Sequence, residues 1–113
     1  MSRFMRLLVF FDLPVKSKSE RKTATQFRNF LIKDGFYMIQ FSLYGRICNT
    51  LESARLHEDR ICTKVPSYGS VRSMIVTEKQ YATMSILTGE RKPKENRINS
   101  QQISFLHPTY PFF

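Results

Sequence analysis

Residues 4–12, FMRLLVFFD, constrain the fold more than any other stretch of the chain. Nine mostly apolar residues closed by Leu13-Pro14 are short for a helix and read as a β-strand. Alternate side chains of a strand point to opposite faces. Met5, Leu7, Val9 and Phe11 therefore share one face, and Arg6, Leu8, Phe10 and Asp12 share the other. Both faces are apolar in the middle, which places the strand in a sheet covered on both sides. One cover can come from the chain's own helices. The other is expected from a second copy, with Leu8 and Phe10 at a homodimer interface.

The remaining pattern supplies the helices. Ser17 and Glu20 form a capping-box pair at the head of a helix over residues 17–34. Its stripe is Glu20, Ala24, Phe27 and Leu31, widened by Phe30, and it ends at Asp34-Gly35. Residues 36–48 are strand-like throughout but exceed an ordinary strand, so the reading splits them near residues 40–42. Asn49 with Glu52 predicts the start of a second helix, with Leu51, Ala54, Ile61 and Val65 on its stripe and its end at Pro66. A strand over residues 71–77 follows. Thr77 and Gln80 cap a short third helix to about Met84, and Ile86-Leu87 opens a short final strand.

The order strand, helix, strand, strand, helix, strand is that of a ferredoxin-like α+β sandwich, a βαββαβ unit. Its antiparallel sheet carries helices on one face and leaves the other open. Residues 1–90 form this domain, and residues 91–113 are a C-terminal strand or tail extension. The fold hosts many functions and decides none.

Charge narrows the classes. Eighteen Lys and Arg against nine Asp and Glu leave a net charge of +9, so a polyanion is the expected partner. Residues 1–50 carry nine basic and three acidic residues, and residues 51–113 carry nine and six. The excess therefore lies in the first half, where Lys16, Lys18, Arg21, Lys22 and Arg28 stand off the apolar stripe of the first helix. Such a face suits a phosphate backbone and gives affinity without base reading. The longest apolar run, residues 7–11, is far short of a membrane span, and no leader pattern opens the chain. A cytoplasmic protein with no membrane partner is expected. Cys48 and Cys62 are too few for a four-thiolate zinc site and are read as packing residues. His57 is read as a solvated helix residue, because His57-Glu58-Asp59 lacks the spacing of a zinc hydrolase.

Asp12 is the most informative single residue. It is the only acid among the first nineteen residues and ends an apolar strand. A strand-end carboxylate often serves only to accept backbone hydrogen bonds. The alternative is a ligand for Mg²⁺ or Mn²⁺, which take oxygen donors and often only one or two protein carboxylates. One Asp per chain is a thin site, and two related by a dimer axis are a better one.

Phe10-Phe11-Asp12-Leu13-Pro14, Phe27-Arg28-Asn29-Phe30-Leu31, Gly35-Phe36, Gln40-Phe41-Ser42-Leu43-Tyr44 and Thr77-Glu78-Lys79-Gln80-Tyr81 together resemble the CRISPR-associated protein 2 family, in the form found in type II systems. The resemblance implies a ferredoxin-like homodimer that assembles with a larger CRISPR integrase subunit and holds protospacer duplex DNA during spacer acquisition. It also implies a magnesium-dependent endonuclease acting through Asp12 as catalytic residue and metal ligand. With a single acid per chain, the DNA scaffold is the first expectation and the nuclease the second. An RNA-binding module of the same fold is a third, although its aromatic strand motif is missing. The tail matches nothing in the family blocks. Its anchors Ile103, Phe105, Leu106, Tyr110 and Phe112, spaced by prolines, are expected to dock on the integrase.

Overall fold

The strand read at residues 4–12 forms β1 (Met5–Asp12) and is paired on both sides, antiparallel to β3 (Leu43–Cys48) and to β4 (Ser70–Thr77). The computed structural model describes residues 4–91 and 93–95. With β2 (Tyr37–Gln40) the sheet runs β2-β3-β1-β4, all antiparallel, and the fold is ferredoxin-like α+β. Two helices, α1 (Lys18–Lys33) and α2 (Leu51–Cys62), contribute to the core on one face; a short α3 (Glu78–Ala82) follows β4.

Local chemistry sets the boundaries. The Ser17 hydroxyl accepts from the Glu20 amide at 3.0 Å, and the Glu20 carboxylate accepts from the Ser17 amide at 2.9 Å. Thr77 and Gln80 repeat this reciprocal pair at α3. The start of α2 differs from the expectation. Thr50, not Asn49, is the cap, and its hydroxyl accepts from the Ser53 amide at 3.0 Å. β3 runs through Cys48, so Asn49 is spent on the turn between the two elements. The helix also ends at Cys62, ahead of Pro66, because the Thr63 and Lys64 amides already bond three residues back, to Arg60 and Ile61. Leu51 and Val65 consequently stay exposed, and Ala54 and Ile61 alone carry the buried stripe.

The two faces of β1 feed two cores. Leu7, Val9 and Phe11 pack with Phe27 and Leu31 of α1, with Ala54 and Ile61 of α2, and with Phe36, Tyr44 and Cys48. The rings of Phe11 and Phe27 meet edge to face at 5.4 Å. On the other face Leu8 packs with Tyr37, Ile39, Leu43, Ile47 and Tyr81. That face is therefore covered in part, around Leu8, while Phe10, Arg72 and Met74 on it stay exposed. α3 starts at the residue after β4, and Tyr81, on α3, joins Leu8 and its neighbours. Leu8 is 3% exposed within its own chain and needs no second copy to be buried, whereas Phe10 keeps 36%. The expected strand at Ile86-Leu87 is absent. The chain bends at residues 87–89 instead, and Leu87 is 94% exposed.

A buried ionic cluster lies on this second face. Arg6 is fully buried and donates to both carboxylate oxygens of Glu78, at 2.8 and 2.5 Å. It also donates to the Tyr37 hydroxyl and, at 2.8 Å, to the carbonyl of Lys94. Its guanidinium lies 4.4 Å from the centre of the Tyr81 ring, and the Tyr81 hydroxyl donates to buried Glu95 at 3.2 Å. Burial works against the charge, but the bonds to Glu78 and Tyr37 outweigh it and raise the Arg6 pKa above the ordinary value. The domain's contacts thus run past the boundary expected at residue 90, to residue 95. Ile103, Phe105, Leu106, Tyr110 and Phe112, with His107, lie outside the described residues.

Two further expectations are corrected. Cys48 is buried as a packing residue, but Cys62 is exposed. Ile61 faces the core, and the next helical position turns about 100° away from it. His57 is not a solvated residue. Its Nδ1 lies 2.8 Å from the buried carboxylate of Asp34, whose other oxygen accepts from Arg60 at 2.9 Å. Burial lowers the His57 pKa, with the Asp34 bond opposing, so the ring ties α2 to the end of α1 as a neutral group.

Candidate functional site

Asp12 closes β1 opposite Ser70, the first residue of β4, and its side chain is exposed. The backbone around it is held on two sides. The Phe11 amide donates to the Ser42 carbonyl at 2.9 Å, and the turn before β4 folds against Asp12 and Leu13. Gly69 makes that approach possible. It adopts φ +94°, and a Cβ there would stand 2.8 Å from both the Asp12 carbonyl oxygen and Leu13 Cδ2. Gly69→Ala combines an unfavourable left-handed residue with a backbone clash, and is expected to cost about 1–3 kcal/mol. A thermal melt should fall by roughly 4–8 °C per kcal/mol for a domain of this size. An unchanged melting temperature would show that the turn does not brace the end of β1.

The resulting cavity has a volume of about 310 Å³ and is lined by Phe10, Phe11, Asp12, Gln40, Ser42, Leu43, Ser70 and Arg72. Its polar donors to a cation are oxygens: one carboxylate, two hydroxyls and an amide carbonyl. That set fits Mg²⁺ or Mn²⁺ and lacks the sulfur and imidazole that zinc favours. Among the described residues no group of three or more His, Cys, Asp and Glu is placed to hold a metal. A hard cation here would rest on Asp12, the neighbouring oxygens and water.

The basic residues separate into two sets. Lys16, Lys18, Arg21 and Lys22 are exposed around the start of α1, just after the segment that Asp12 opens. Arg21 also donates to the carbonyls of Lys16, at 3.0 Å, and Val15, at 3.3 Å, and so shapes the loop before the helix. Arg28 is apart from them. It is half-buried, its guanidinium sits 3.8 Å from the centre of the Phe41 ring, and its Nε donates to the Phe41 carbonyl at 3.4 Å. It clamps the β2–β3 turn that carries Ser42.

Gln40 and Ser42 stand in the sequence only as part of the block at residues 40–44, with no site role attached, and Ser70 and Arg72 carry no signal but register. Once β4 pairs with β1, Ser70 falls opposite Asp12 and Arg72 opposite Phe10.

Comparison with known proteins is informative over most of the chain. A family model described as CRISPR associated protein Cas2 matches residues 5–84, which include Asp12 and the whole sheet. A protein of Acidovorax ebreus named CRISPR-associated endoribonuclease Cas2 is 52% identical over 100 residues, 88% of this chain and 98% of that protein. A protein of the same name from Campylobacter jejuni is 51% identical over 87 residues, covering 77% of this chain and 61% of its own length. Another from Flavobacterium psychrophilum is 44% identical over 101 residues, covering 89% and 87%.

Proposed function

The chain belongs to the Cas2 family of CRISPR adaptation, and from that premise we propose that it is a metal-dependent endonuclease that cleaves phosphodiester bonds of RNA in the cavity at Asp12. The observation that carries this reading is the exposed Asp12 carboxylate in a cavity that also holds the oxygens of Gln40, Ser42 and Ser70, with the Gly69 turn packed against its backbone. The endoribonuclease names of the relatives weigh in the same direction and move the nuclease ahead of the scaffold in order of preference.

Asp12, with Ser42, Ser70 and the Gln40 carbonyl, would hold Mg²⁺ or Mn²⁺. When bound, such an ion supplies an acidified water and neutralises charge on a phosphoryl oxygen. The chain's own groups do the rest. The exposed cations at the start of α1 draw the backbone toward the cavity, and the Phe10 ring offers an apolar wall. Phe10 is also exposed on the same face as Asp12, so a homodimer contact through Phe10 would bring two copies of Asp12 toward one axis. Single-stranded RNA and duplex DNA of one sequence, each incubated with Mg²⁺, Mn²⁺ or EDTA, test the reading. Internal cuts in RNA that need a metal are expected. Intact RNA with either metal, beside firm retention of DNA in a gel shift, overturns it.

A second reading rests on a separate observation, the exposed cluster of Lys16, Lys18, Arg21 and Lys22. It makes the chain a DNA-holding scaffold that bridges copies of a larger integrase. Among the described residues Lys18 and Lys22 make no side-chain hydrogen bond or ion pair, so Lys18→Ala with Lys22→Ala probes the surface. The slope of log affinity for duplex DNA against log salt is expected to fall by about two. An unchanged slope means that the duplex lies elsewhere.

A further inference from the structure

We propose that Arg72, with Ser70, forms a phosphate seat beside Asp12, binding a backbone phosphodiester of the nucleic acid. This deepens the reading of the Asp12 cavity and rests on it.

Register places the groups. Asp12 stands opposite Ser70 and Phe10 opposite Arg72 across an antiparallel pair, so all four side chains leave the sheet on one face. Asp12 and Arg72 are then diagonal neighbours, with Cβ atoms roughly 7–8 Å apart. An arginine side chain can reach across that spacing, yet no ion pair joins the two among the described residues, which leaves both charged groups available to one ligand held between them. Both residues line the same cavity. Among the described residues, neither takes part in an ion pair. The two other arginines of the sheet are engaged elsewhere: Arg6 with Glu78, and Arg46 with the Asp34 carbonyl at 2.6 Å.

Edge strands often carry a charge simply to discourage pairing. Arg72 differs in facing a cavity that also holds a carboxylate, two hydroxyls and an exposed ring. A phosphodiester brought to Asp12 alone meets like charge. A guanidinium offers two parallel donors to phosphate oxygens and offsets that repulsion, and the Ser70 hydroxyl can donate a third bond. The cavity volume is at the lower end of the range for small-ligand sites, enough for a phosphate and part of its nucleoside. Arg72 therefore binds, while Asp12 serves the chemistry, and the two roles separate kinetically.

The test uses the full chain carrying Arg72→Ala or Arg72→Lys. The Arg72 side chain is exposed, so a circular-dichroism melt of either variant should match the wild type. Binding of short fluorescent RNA and DNA strands is measured in EDTA, where no cleavage intervenes. Arg72→Ala should weaken both strands by roughly tenfold or more, with Arg72→Lys recovering part of the loss. In the cleavage assay KM should rise with kcat within a few-fold of wild type. Unchanged affinity for both strands overturns the seat, even where wild-type cleavage stands. Loss on one sugar type alone also overturns it, because a phosphate contact cannot tell RNA from DNA. Absence of wild-type cleavage with a loss of affinity on both strands removes the nuclease reading and supports the seat.

Discussion

Replacing Arg6 with leucine should destabilise the protein by about 3–5 kcal/mol, read as a lower urea midpoint. The guanidinium is fully buried and is the only cation hydrogen-bonded to the Glu78 carboxylate among the described residues. Leucine fills part of the space but leaves a carboxylate that is 3% exposed without its counter-charge, and it strips a donor from the Tyr37 hydroxyl and the Lys94 carbonyl. A small domain commonly has only about 5–15 kcal/mol in total, so the variant should sit near unfolding. Glu78→Leu should be damaging for the mirror reason. The double variant removes both members of the Arg6–Glu78 pair and so leaves no Glu78 charge unpaired, and its loss should be well below the sum of the two single losses. Simple additivity would contradict the pairing.

This cluster also shows where the sequence stops being legible. Strand β1, the capping pairs at Ser17 and Thr77 and the split of residues 36–48 all depend on neighbours within a few positions, and each was read correctly. Arg6 lies 72 positions from Glu78. In sequence it is one polar interruption on an apolar face, and nothing nearby names its partner. The part of this face that α3 and residues 93–95 cover is therefore hidden from a local reading, while Phe10 and Met74 on it stay exposed. His57 and Asp34 are also a distant pair, joined only when α2 packs beside the end of α1. The cap of α2 failed for a different reason. Asn49 and Thr50 are both good caps, and only the length of β3 decides between them.

The site was half legible by the same logic. Asp12 was visible because a lone acid ends an apolar strand, and the lysines of α1 because they stand off its stripe. Arg28 was grouped with them, yet its packing on Phe41 gives it a structural place. Ser42, Ser70 and Arg72 needed the pairing of three strands before they came together.

The second large effect is on activity. On the proposed reading, Asp12→Asn should reduce metal-dependent cleavage by at least roughly 100-fold, because the amide keeps the shape of the carboxylate but loses the charge that would hold a hard cation. The side chain is exposed, so folding stability should change by no more than about 0.5 kcal/mol. Nucleic-acid affinity in EDTA should hold or rise slightly, since a negative charge has left the cavity. An activity loss with a matching stability loss would point to collapse of the end of β1.

Single-turnover cleavage of a labelled RNA by wild type and Asp12→Asn, at equal Mn²⁺ and with matched oligomeric state by light scattering, addresses the central claim most directly. The account predicts a metal-dependent rate for wild type and one at least about 100-fold lower for the variant. Equal rates in the two proteins would place the chemistry elsewhere and contradict it.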